Sequence, residues 1–313
     1  MNRNNRGFVL LCVLWVTALL TVLVLGFGKR AMLDRRAAAY AMDHSLAMAA
    51  ARGAVERGVL ELQNRQIMQR LLPPDQRGGT HLGESWANPK NCVGEGYYEQ
   101  EEMLKGDEIT YIITDMERLI DINTAPRELL EGVESLNRSM IRHIWVRRTE
   151  ETNQGEGIIP FHAVEELRNL RGVGDEEWFG DKRKTGVKDL LTIWGDGKIN
   201  VNTASRAVLE SIPNVRESDI DVILDYRAGG DGKLNTGDDR GFMNMDDLTV
   251  KTGVTGDTRD ALNGFCKCDS SYFKITGLAT RRNGRVRAVC TAVVSAVDGL
   301  PYVVEWQEKA LGS

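Results

Sequence analysis

The chain has 313 residues, 42% hydrophobic and 27% charged, enough for a membrane anchor and two modest domains with cores of their own. A net charge of −5 and a pI near 5.6 exclude a nucleic-acid partner held by bulk electrostatics. There is no Cys-x-x-Cys, and His44, His81, His143 and His162 lie away from the cysteines, so the pattern gives no zinc site.

Residues 1–7 are a short polar leader ending in Arg6-Gly7. From Phe8 to Phe27 no residue is charged, and at about 1.5 Å per residue a helix of that length crosses a hydrocarbon core of ~30 Å. A conventional secretory signal has a shorter apolar run, roughly 7–15 residues, with its small-residue cleavage site directly behind. Here Ala37-Ala38-Ala39 follows only after Lys29, Arg30, Arg35 and Arg36. Charge leaves the orientation open, because Arg3, Arg6 and the terminal amine face those four cations, offset by Asp34. Beyond the span the helix is expected to continue to Leu72. Tyr40, His44, Met48, Ala51, Val55, Val59 and Leu62 form one stripe at helical spacing, suited to covering a sheet, and Pro73-Pro74 ends it.

Residues 73–106 read as an irregular loop with short extended pieces such as Gly96-Tyr97-Tyr98. Ile109–Ile113 is a strand by its β-branched content. Three more strands are predicted near the other end, Ser271–Ala279, Arg285–Ser295 and Tyr302–Gln307, with hairpin turns at Asn283-Gly284 and Asp298-Gly299. An antiparallel sheet therefore starts before residue 119 and resumes after 270, with an insertion between. That insertion is duplicated. Ile122-Asn123-Thr124-Ala125-Pro126-Arg127-Glu128-Leu129-Leu130 returns 79 residues later as Val201-Asn202-Thr203-Ala204-Ser205-Arg206-Ala207-Val208-Leu209. Ile141, Ile144 and Arg148 match Ile220, Ile223 and Arg227, and Phe161 with Glu165-Glu166-Leu167 matches Phe242 with Asp246-Asp247-Leu248. Asn-Thr is expected to cap a helix in each copy, with Leu129-Leu130 and Val208-Leu209 facing inward and the acidic pairs solvated.

Asn-Thr-Ala followed by paired helices also occurs in helix-hairpin-helix modules that grip phosphates, with Leu170-Arg171-Gly172-Val173-Gly174 as the candidate hairpin. Asp175-Glu176-Glu177 follows it, and Glu217, Asp219 and Asp221 follow the corresponding Pro213–Arg216 turn; both repel phosphate. In the glycine-rich loop at 229–239, Asp231, Asn235, Asp238 and Asp239 are candidate calcium ligands, at a spacing unlike an EF-hand. Outside the span, Cys92, Cys266, Cys268 and Cys290 suit two disulfides of an oxidising compartment in any of three pairings, or four free thiols in a reducing one. No phosphate loop, His-Glu-x-x-His or Gly-x-Ser-x-Gly occurs, and no catalytic constellation is expected.

The leader ending in Gly7, the uncharged span opening with Phe8 and the amphipathic continuation resemble a type IV pilin-like precursor. With Ile-Asn-Val-Asn-Thr-Ala at 199–204 and the strand Tyr272–Thr276, the whole chain resembles the K-type minor pseudopilins of type II secretion systems. The resemblance implies an α+β, pilin-like long helix on an antiparallel sheet, with a large duplicated all-α domain inserted between strands. Its parts are a leader (1–7), a transmembrane half-helix (8–27), and the amphipathic helix with the first part of the sheet domain (28–118). An insert (119–268, with units near 119–180 and 198–260) and closing strands (269–313) complete it. It further implies prepilin-peptidase cleavage between Gly7 and Phe8, N-methylation of Phe8, a cytoplasmic N-terminus, an inner-membrane anchor and a periplasmic head. The implied role is a non-enzymatic one: capping the pseudopilus tip and initiating assembly with the I and J minor pseudopilins, the major pseudopilin and the inner-membrane platform. Calcium use is implied too. Such precursors generally carry a glutamate at the fifth mature position; here it is Cys12, which avoids burying a carboxylate at about 2.5–3.5 kcal/mol. Ala18 and Gly26 would let partner helices approach in the membrane. Two other readings share these features: a membrane-tethered DNA-uptake receptor and a minor tip pilin of a type IV pilus.

Overall fold

The computed structural model describes residues 5–73, 76–92, 108–149, 160–170, 173–234, 236–282, 284–297 and 299–311. Helix α1 (Asn5–Leu71) runs unbroken for 67 residues, since no proline interrupts it. Residues 8–38 of its first half are all exposed among the described residues. Its second half is packed, with Ala47, Ala51, Val55 and Leu62 at most 2% exposed. The covered stripe starts later than predicted. Tyr40 remains 46% exposed, and the first buried position is Asp43, whose carboxylate pairs with Arg282 at 2.7 Å.

After α1 come β1 (Lys90–Asn91) and β2 (Glu108–Asp115); the expected extended piece at Gly96-Tyr97-Tyr98 lies outside the described residues. The chain then leaves the sheet and returns as β7 only at Tyr272. In between stand β3 (Ile120–Asp121), α2 (Arg127–Glu131), α3 (Arg138–Thr149), α4 (Asp175–Phe179), α5 (Val187–Leu190) and β4 (Leu191–Thr192). They are followed by β5 (Ile199–Asn200), α6 (Arg206–Glu210), α7 (Glu217–Arg227), α8 (Met245–Thr252), α9 (Asp257–Phe265) and β6 (Cys266–Lys267). The closing strands are β7 (Tyr272–Arg281), β8 (Val286–Ser295) and β9 (Tyr302–Leu311). β7 and β9 run past their predicted C-terminal ends, to Arg281 and Leu311, while β8 ends at Ser295 as predicted. The turn residues Asn283 and Asp298 lie outside the described residues.

The sheet is antiparallel throughout, in the order β1-β2-β7-β8-β9. Strands β2 and β7 are paired from Glu108↔Thr280 to Asp115↔Phe273, so a single hydrogen-bonded seam joins residues on either side of the whole insert. Helix α1 lies on one face. The approach is close enough that a Cβ on Gly277 would fall 2.4 Å from the Ala51 carbonyl oxygen. Two apolar cores result. One joins α1 to the sheet through residues such as Val55, Tyr111, Phe273, Ile275 and Cys290. The other lies wholly within the insert, around Leu129, Leu130, Ile144, Val208, Leu209, Ile223 and Phe242.

The two halves of the insert repeat in atomic detail. Each begins with a short strand and ends with one paired parallel to it, Ile120↔Leu191 in the first and Ile199↔Cys266 in the second. Asn123 Nδ2 donates to the Phe161 carbonyl (3.0 Å) and its Oδ1 accepts from the Phe161 amide (2.8 Å). Asn202 does the same with Phe242, at 2.9 and 2.8 Å. Arg148 donates to the Ala125 carbonyl and Arg227 to that of Ala204, both at 2.7 Å. The asparagines therefore brace each unit and do not cap its helix; the N-caps are Pro126 and Ser205. Equivalent positions also meet: a Cβ on Gly132, at the end of α2, would sit 1.9 Å from the carbonyl of Ser211, at the end of α6. Such self-contact is what a local twofold axis produces.

Candidate assembly surfaces

The stalk of α1 carries the most conspicuous unmet chemistry. Phe8, Leu10, Leu14, Trp15, Val22, Val24 and Phe27 are each at least 66% exposed, and the apolar window has a mean hydropathy of 2.9 with none of it covered by protein. An uncharged surface of this kind is stable in lipid or against other apolar helices, not in water. Gly7 and Phe8 lie in the opening turns of α1, and Cys12 is an exposed thiol within its apolar stretch.

At the other end, the insert sits away from the apolar stalk. Ala51 faces Gly277, and Gly58 faces Ile275 farther up β7, so α1 climbs toward the edge of the sheet where β2 ends and β7 begins. A buried polar cluster fixes the insert there. Asp115 accepts from Asn200 Nδ2 (3.0 Å), Thr203 Oγ1 (2.5 Å), Ser270 Oγ (2.7 Å) and, through Oδ1, the Glu117 amide (2.9 Å). Asn200 also donates to the Thr80 carbonyl (3.0 Å). Beside it Lys267 bridges Glu117 (2.9 Å) and Asp196 (2.8 Å). Burial pushes the Asp115 carboxyl up, and its side-chain donors Thr203, Ser270 and Asn200 only partly pull it back. These residues were missed from sequence. One readable signal existed: Asn200 stands where the first copy has Asp121, and an amide can donate to Asp115 where a carboxylate would repel it.

The structure separates the residues predicted as sites. In the acidic loop, Asp238 is turned inward, accepting from the amides of Gly230 (2.7 Å) and Asp231 (3.1 Å) and from Thr236 Oγ1 (2.7 Å). Asp231 accepts from the Lys233 amide, and Asp239 from that of Thr236. Asn235 lies outside the described residues. Among the described residues no three acidic, histidine or cysteine side chains converge on a cation position, and the carboxylates of Asp231, Asp238 and Asp239 are engaged in the loop's own hydrogen bonds. The four cysteines beyond the span are free thiols where two disulfides were one expectation. Cys92 and Cys290 lie in the sheet core, Cys266 and Cys268 in the insert core. Burial raises all four, Cys290 to about 11 and Cys268 to about 12, which keeps them protonated and slow to exchange.

The acidic pairs are only half solvated. Glu166 accepts from the His162 and Ala163 amides and pairs with Arg147 at 2.6 Å, while Asp247 accepts from the Met243 amide and pairs with Lys251 at 2.7 Å. The second of each pair is thus a helix cap, and Glu165 and Asp246 stay in solvent. Of the candidate phosphate hairpin, Arg171 and Gly172 lie outside the described residues. The Gly174 amide, which a phosphate would need, is taken by Glu177 at 2.8 Å.

Strand β9 forms the outer edge of the sheet, with Tyr302, Val303, Val304 and Trp306 between 38% and 52% exposed. It is tied to α1 by a bidentate pair, Arg52 Nε and Nη2 to Glu308 at 2.7 Å each. Those hydrogen bonds, with one from the Trp306 indole, hold the Glu308 carboxyl down at about 2. A carboxyl depressed on folding contributes stability above its unfolded value and loses it as pH falls through its folded one. The tie is therefore expected to persist down to about pH 2, and NMR titration of Glu308 should show that midpoint. In Arg52→Gln the midpoint should return to near the ordinary glutamate value of about 4.3.

A chain in the crystal structure of the GspK-GspI-GspJ complex of the enterotoxigenic Escherichia coli type 2 secretion system has the same fold. It aligns over 90% of this chain and 99% of its own length, with a TM-score of 0.53 and 14% sequence identity. No protein-family model and no curated protein sequence matches the chain.

Proposed function

We propose that this protein is a minor pseudopilin of the K type, which caps the tip of the periplasmic pseudopilus in type II protein secretion and helps initiate its assembly. The observation that carries the reading is the placement of a bulky helical insert at the end of the sheet opposite a bare, uncharged anchor helix. A filament of such subunits packs stalk against stalk. A subunit with a large mass at its far end obstructs the seat of the next subunit above and fits the position that has none. Cys12 supports the same placement: a first subunit has no amine ahead of it to neutralise a membrane-buried carboxylate, and here there is no carboxylate to neutralise. The fold shared with a chain of the GspK-GspI-GspJ complex supports I- and J-type minor pseudopilins as its partners.

In this reading residues 8–27 are an inner-membrane span with a cytoplasmic N-terminus, a prepilin peptidase cuts between Gly7 and Phe8, and Phe8 is N-methylated. The head acts in the periplasm by binding and positioning and not by catalysis, with the major pseudopilin and the inner-membrane platform as further partners. Immunogold labelling of sheared pseudopili bearing a tag on this chain tests it. Gold is expected at filament ends; gold spread along the sides would overturn the tip assignment. Mass spectrometry of the same preparation is expected to find a mature chain starting at methylated Phe8.

A further inference from the structure

The two units of the insert share a backbone plan, but their equivalent helices α3 and α7 are opposite in charge. Helix α3 carries Arg138 and Arg142 where α7, at matching positions 79 residues later, carries Glu217 and Asp221. In the second unit Arg206 reaches across from α6 to Asp221 at 2.5 Å, and its other terminal nitrogen lies 3.8 Å from Glu210. In the first unit the equivalent Arg127 is paired with Glu131 at 2.7 Å, and Arg142 stands where its second partner would be. Like charges do not bridge, so the space between α2 and α3 stays open as a cleft of about 690 Å³. Its floor is apolar: Leu136 and Ile141, each 6% exposed, and Trp145, over whose ring Arg127 lies at 6.0 Å. Among the described residues, Arg138 and Arg142 have no carboxylate partner.

We infer that this cleft is a docking groove for an acidic segment of a partner protein, with an apolar side chain seated on Trp145 and its carboxylates held by Arg138 and Arg142. The inference does not depend on where the chain sits in a filament. Three guanidinium groups against one glutamate make the rim cationic on a protein whose net charge is −5, and planar guanidinium groups match carboxylates two bonds at a time. The volume lies in the range of ligand clefts, roughly 300–1,000 Å³. A second copy of this chain is a poorer occupant, because Asp219 and Asp221 of its acidic helix are already paired with Arg216 and Arg206.

The test uses the full chain in detergent micelles and a fluorescent synthetic peptide of glutamates flanking leucine, read by anisotropy. Binding is expected to weaken with salt and to be lost when glutamine replaces glutamate in the peptide. Arg142→Asp supplies Arg127 with the partner that Arg206 has, and is expected to close the groove and lower affinity about tenfold or more, with the melting temperature not reduced. Arg138→Glu should weaken binding comparably. Equal affinity for the glutamine peptide, or undiminished binding by both variants, would overturn the inference. So would preferential binding of a DNA oligonucleotide, which would assign the groove to phosphate. Self-association that Arg142→Asp abolishes would assign it to a second copy and overturn it as well.

Discussion

Asp115→Ala is expected to destabilise the protein by about 3–5 kcal/mol, the cost of leaving several buried donors without an acceptor at roughly 1–3 kcal/mol each. The carboxylate is 2% exposed and takes hydrogen bonds from Asn200, Thr203 and Ser270, which belong to the insert or its return strand, and from the Glu117 amide at the exit from β2. Its removal therefore strikes the joint between the two cores and not the interior of either one. Beyond a lower midpoint, calorimetry of the variant should show the insert and the sheet unfolding in two separate transitions as they lose their coupling. Asp231→Ala, on the exposed loop with one backbone contact, is the comparison and should change stability by less than about 0.5 kcal/mol. A single unshifted transition in Asp115→Ala would show that the apolar contacts alone hold the insert in place.

Gly277→Val is expected to cost about 1–3 kcal/mol or more, because it overfills the closest contact between α1 and the sheet. An added Cβ would lie 2.4 Å from the Ala51 carbonyl oxygen, 3.0 Å from Val55 Cγ2 and 3.2 Å from the Ala54 Cβ, and two of these three neighbours cannot turn away. The helix must lift from β7, which also strains the Arg52–Glu308 tie to β9. Chemical denaturation read by tryptophan fluorescence will report it, since Trp86 packs edge-on against Phe273 in the same core at 5.4 Å. Gly53→Ala on the same helix has open space around the new methyl and should stabilise by up to about 1 kcal/mol through helix propensity. If both substitutions behave alike, close packing at Gly277 is not what seats the helix.

Much of the architecture is written in local pattern. Twenty uncharged residues after Gly7, the stripe from His44 to Leu62 and the alternation of the closing strands each follow from periodicities of 3.6 or 2 that any short window displays. The duplication is equally legible, because both copies keep the same residues in the same order. What the repeated residues do is another matter. Asn123 and Asn202 look like helix caps until Phe161 and Phe242, about forty residues on, are folded back against them. Glu166 and Asp247 look solvated until their own helix ends are seen to need them.

The amino-acid order alone determined that the chain has one greasy stalk, a helix that leaves it to cover a sheet, and a doubled helical insert between strands. Pattern suffices there because a neighbour three, four or two residues away carries the information. Tertiary structure decided the rest: that Asp115 gathers donors from residues as far along the chain as Ser270, that the acidic loop caps itself, and that Arg142 leaves open a groove its twin closes. Those outcomes depend on which distant groups share a low-dielectric or confined space, and separation along the chain carries no record of that.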